Sequence, residues 1–225
     1  MSITARTRSR LKDPAWWSRY AASLQYALYV VVHPFDGFWD LTHEKRGTLA
    51  AANTIIALVL ITRILKLEFT SFQFITVNWE YVNVFEQWLS ILIPLLIWCA
   101  ANWGLTTLFD GKGTLKDIYI AMGYAFTPYL LLQVPMIFVS NVITFKEGVF
   151  WMVLNVLTFI WAAYLVIVAM MEIHDYTIGK TLLFVFVSLF GMMVIIFLLL
   201  LFLSLITDGV GYFVSLYREI VFRLY

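Results

Sequence analysis

Charge is what this sequence has least of. Only 13% of its 225 residues are Asp, Glu, Lys or Arg, about half the share in an ordinary soluble domain. The formal net charge is +1, and the basic residues never gather into a long run. A nucleic-acid partner is therefore not expected. Cysteine occurs once, as Cys99 inside an apolar stretch, so no internal disulfide can form. His33, His43 and His174 are scattered without HExxH or CxxC spacing, so neither a metal site nor a cofactor is expected. No GxSxG elbow appears, and no apolar window pairs a Ser or Asp with a base. Gly179-Lys180-Thr181 echoes the end of a phosphate-binding loop, but the required first glycine would fall at His174. Asp110 and His174 are the residues an enzymatic reading would turn to; with no further partner for them, no catalytic residue is assigned and the chain is expected not to be an enzyme.

Hydrophobic residues make up 62% of the chain, more than a water-facing surface can absorb, and lipid is the simplest alternative. Five uncharged apolar windows stand out, at 48–62, 87–109, 118–145, 148–171 and 181–207. The last four are long enough for a hydrocarbon core of roughly 30 Å at 1.5 Å per residue. The first reaches that length only by continuing past Arg63 to about Leu67. Arg63 and Lys66 are then expected to snorkel to the outer interface, near Glu68. No window carries Asp or Glu, which disfavours proton- or ion-coupled transport by this chain alone. The expected fold is an all-α integral membrane protein with five transmembrane helices.

The short polar connections DGKGTLKD, KEG and MEIHDYTIGK leave no room for a soluble domain. With the N-terminus inside, the cytoplasmic side carries Arg6, Arg8, Arg10, Lys12, Arg19, Lys45, Arg46, Lys112, Lys116 and Lys180, ten cations against five outside. The bias is expected to leave a multi-pass protein with its N-terminus cytoplasmic and its C-terminus extracytoplasmic. The N-terminal segment does not read as a secretory signal, because Arg19 interrupts it and no small-residue cleavage site follows.

Asp13-Pro14 is a helix start. Behind it Trp17, Tyr20, Leu24, Leu28 and Val31 share one face, with Arg19, Ser23 and Gln25 away from it. Residues 1–47 are thus expected to carry an interfacial amphipathic helix. Residues 208–225, with Tyr212, Phe213, Leu216, Tyr217, Ile220 and Leu224 at helical spacing, form a second interfacial candidate after the membrane domain at 48–207.

Several stretches together resemble the Ypt/Rab-interacting-protein (Yip) domain family of five-span membrane proteins. The clearest is KDIYIAMGYAFTPYLLL at 116–132, where Gly123, Tyr124, Pro128 and Tyr129 stand as in the family's third span. NWGLTTLFDGKGTLKD at 102–117 and HPFDGFWDLTHEKRG at 33–47 look like the bacterial branch. The long N-terminal region and DLYGP-like motif of the eukaryotic members are missing, which argues against a Rab GTPase partner and implies a bacterial plasma membrane. The resemblance implies five spans, no catalysis, and work through helix packing and partner proteins. It further implies an accessory subunit of a bacterial envelope complex, such as a carbohydrate ABC importer.

Gly123 and Gly104 would let a neighbouring helix approach, Pro128, Pro135 and Pro94 would bend theirs, and Asn102, Asn155 and Gln133 would hydrogen-bond between helices. In the outer loop, Phe72, Phe74, Trp79, Glu80 and Tyr81 could meet an external partner, as could Arg218 and Arg223 in the tail. Two other classes remain open: a channel or carrier for a small solute, and a membrane-shaping protein acting through Trp17 and Leu24.

Overall fold

The computed structural model describes residues 14–75, 80 and 82–224. Among them all regular structure is helical: α1 Pro14–Val32, α2 Pro34–His43, α3 Leu49–Phe69, α4 Val84–Leu108, α5 Leu115–Ala125, α6 Thr127–Ser140, α7 Gly148–His174 and α8 Ile178–Leu224. Taking α5 with α6 as one unit, five of these are long and apolar enough to cross a membrane.

Local chemistry sets the ends. Thr48 accepts the Ala51 N–H at the start of α3, and Asn83 accepts the Phe85 N–H at the start of α4. Thr114 and Asp117 form a capping box at α5, and Thr144 with Glu147 forms one in the turn before α7. As its length required, α3 runs on through Arg63.

The third span is the hub. α5 packs against α3, α4 and α7, and α6 against α3 and α7. At its middle the helix breaks at Phe126, for a reason visible in the sequence. Pro128 has no N–H to offer the carbonyl of Tyr124, four residues back. That oxygen instead accepts the Thr127 hydroxyl at 2.7 Å and the Phe126 N–H.

α1 is described from Pro14 onward, and Asp13 and the basic residues before it lie outside the described residues. The helix packs against the bundle along part of its surface. Ser23, Ala27, Val30 and Val31 turn into the bundle, whereas Trp17 and Leu28 are exposed. The apolar face of a helix against lipid can point outward, and a hydroxyl is best placed inward, where it finds partners. Ser23 finds three, at the Arg46 carbonyl, Thr48 and Tyr124.

α8 has 47 residues, a length of about 70 Å, more than twice the hydrocarbon core. It runs unbroken across the 207/208 boundary, so the tail continues the last span instead of forming a separate helix. Its first turns seat on α4 and α7, with Thr181, Phe184 and Ser188 buried. From Met193 to Phe222 nearly every large apolar side chain is exposed.

Candidate functional site

Three polar constellations lie within the bundle. The first surrounds the Gly-Tyr pair of α5. A Cβ on Gly123 would stand 2.9 Å from the Ala52 Cβ and 3.1 Å from its Cα, so α3 approaches as closely as it does because a hydrogen is all that lies between. Tyr124 is fully buried, and its hydroxyl donates to the Ser23 carbonyl at 2.9 Å with the Ser23 hydroxyl 2.7 Å away. One phenol thus ties α1 to the hub. Pro128 and Tyr129 are buried just beyond the break, Tyr129 edge-on to Phe159 of α7.

The second constellation gathers where the loops 109–114 and 175–177 meet. The Gly113 N–H donates to His174 Nδ1 at 3.2 Å. That nitrogen must therefore carry a lone pair, which leaves the proton on Nε2. Nε2 stands 3.1 Å from Asn102 Oδ1, and the Asn102 amide donates to Ser188 at 3.1 Å. The relay joins α4, α7, α8 and the loop in front of α5. Around it Lys112 pairs with Asp175 at 2.7 Å, and the Tyr176 hydroxyl donates to the Phe109 carbonyl. Burial raises the Tyr176 phenol above its ordinary range, which keeps that donor protonated. Asp110 and Asp175 adopt left-handed backbone at φ 58° and 52°, the tight reversals that bring the two loops together. Both His174 nitrogens are engaged with neutral groups, so the ring serves as a strut.

The third lies at the far end of the bundle. Lys66 Nζ donates to Asn155 Oδ1 at 2.7 Å and sits 5.4 Å from the Trp151 ring centre. Gln133, fully buried, donates to the same Asn155 oxygen at 3.1 Å, and its own Oε1 has no hydrogen-bond partner among the described residues. Arg63 donates to Gln87 at 3.1 Å. Among the described residues no carboxylate lies within ion-pair distance of either cation. Beside the snorkelling expected of Arg63 and Lys66, the structure gives each cation a hydrogen-bond partner on a neighbouring helix. Amide acceptors on α4 and α7 and an indole face lie within their reach, and each cation is hydrogen-bonded inside the bundle.

Other expected positions divide. Asn102, Asn155 and Gln133 bond between helices. Gly104 does not pack: it is exposed, and nothing lies within 4 Å of where its Cβ would stand. Phe72 is 83% exposed, whereas Phe74 turns away from solvent to stack on Trp151 at 5.3 Å, filling the space that Gly148 leaves. Glu80 is exposed, and Trp79 and Tyr81 fall outside the described residues. Arg218 is exposed, and Arg223 pairs with Glu219 one turn back at 2.6 Å. Sequence reasoning missed His174 as the partner of Asn102 and Ser23 as the partner of Tyr124. The available signal was a polar residue next to an apolar run, which fits a loop equally well. Among the described residues no three His, Cys, Asp or Glu side chains converge as a metal would need.

Comparison with known proteins adds one match. The family model described as the Yip1 domain covers residues 28–215. No curated protein and no solved structure matches the chain.

Proposed function

The chain belongs to the Yip1 domain family, and from that premise we propose that this five-span membrane protein is non-catalytic and works by binding other membrane proteins. The proposed setting is a bacterial plasma membrane with the N-terminus cytoplasmic, and the proposed role is an accessory subunit of an envelope complex such as a carbohydrate ABC importer. The observation that carries the reading is the bare end of α8. Lipid can cover roughly 30 Å of a helix about 70 Å long. Beyond Asp208 the helix still carries Tyr212, Phe213, Tyr217 and Phe222, each at least 66% exposed. Aromatic side chains on a rigid helix make good anchors for another protein. Purification in mild detergent tests this. The full chain is expected to bring down transporter permease and ATPase subunits in near-equal amounts, and a chain ending at Thr207 is expected to lose them. A full-length chain that purifies alone would overturn the role.

The cluster around Lys66 favours a second reading, a carrier for a small solute, because cations within a bundle commonly mark a pathway. Solute flux through liposomes holding only this chain, abolished by Lys66→Met, would put that reading first.

A further inference from the structure

At the end of the bundle where α3 begins, a cavity of about 460 Å³ opens between α1 and the segment joining α2 to α3. Arg19 lines one wall and Lys45 and Arg46 the other, with Ser23, Tyr26 and Thr48 between them. Two carboxylates are near, and Arg46 holds both, at 3.3 Å from Asp40 and 2.5 Å from Glu44. Asp40 also accepts the Tyr26 hydroxyl at 2.8 Å. Burial first, and then that carboxylate, keep the Tyr26 phenol protonated well above its ordinary range. One cation of the three thus engages both acids, and the surplus positive charge belongs to Arg19 and Lys45. Arg19 bonds through Nε to the Ala15 carbonyl. Lys45 forms no ion pair among the described residues.

The cavity's level matters as much as its charge. Thr48 is the N-cap of α3, so the positive end of a membrane-spanning helix opens on it. Trp16 and Tyr20 stack at 5.3 Å on the same helix as Arg19, with Trp17 edge-on to both. Such aromatic groups mark the headgroup layer. Leu49, next to Thr48, and Trp17 are both exposed and offer apolar surface beside the charges.

We propose that this cavity binds the phosphodiester headgroup of an anionic phospholipid, with Arg19 and Lys45 as its principal cations. A guanidinium and an ammonium on facing walls match a phosphate's dispersed oxygens. Basic pockets between helices at the membrane surface recognise anionic headgroups in this way. A free phosphate shares the charge but has no use for the apolar rim.

Native mass spectrometry of the full chain in neutral detergent tests the site, with phosphatidylglycerol, phosphatidylcholine and inorganic phosphate titrated separately. One phosphatidylglycerol is expected to bind in preference to phosphatidylcholine. The double variant Arg19→Gln, Lys45→Gln spares the Arg46 ion pairs and is expected to weaken that binding about thirtyfold. Arg218→Gln with Arg223→Gln removes equal charge at the far end and is expected to leave it unchanged. Equal binding of the two lipids, or equal loss in both double variants, would overturn the site. Inorganic phosphate binding as tightly as phosphatidylglycerol, and lost in the same variant, would overturn the lipid as ligand.

Discussion

Tyr124 in the third span is 0% exposed and Leu200 in the fifth is 62% exposed, although both lie in uncharged apolar stretches long enough to cross a bilayer. The third span is broken by Pro128, holds Gly123 against Ala52, and meets helices on several sides. The fifth is unbroken and the most apolar of all, and none of its most apolar window is buried among the described residues. In lipid the hydrophobic effect does not draw helices together, since a Leu gains little by exchanging lipid for protein. Close approach and satisfied polar groups decide which helix becomes the hub, and these belong to the less apolar span.

Substitutions in the two regions would break that contrast if it were wrong. Tyr124→Ala empties a closed site and removes the tie to Ser23. It is expected to destabilise the bundle by about 3–5 kcal/mol, read from thermal unfolding in detergent. Asn102→Leu keeps the volume but leaves His174 Nε2 without its acceptor. Its expected cost is about 1 kcal/mol in the same assay. That loss should come with faster hydrogen exchange at Gly113, because the loop loses its strut. Leu200→Ala, at a side chain 62% exposed, should change stability by less than about 0.5 kcal/mol. A large effect there would mean that the distal part of α8 folds back onto the bundle.

Much of the fold was legible in advance. Hydropathy and length marked five spans, Pro128 marked the break, and Asn102, Gln133 and Asn155 marked hydrogen bonds between helices. The sites were less so. For Lys66 a sequence shows a cation's distance from the end of its helix but not that Asn155 waits on another one. Ser23 was set apart from Trp17 and Leu28 on α1, but amphipathicity shows two faces and not that the polar one would find Tyr124. Gly104 and Gly123 look alike in the sequence, yet only Gly123 has a helix against it.

By itself the sequence determined that this chain carries five stretches long and apolar enough to cross a membrane. Chain length, hydropathy and caps are local properties, complete within a few turns. Which span sits at the centre, where the polar groups find partners, and how much of α8 is left bare were decided only in the tertiary structure. Each depends on residues far apart in sequence, such as Ser23 with Tyr124 or Lys66 with Asn155. An apolar helix carries no record of whether its neighbour will be protein or lipid.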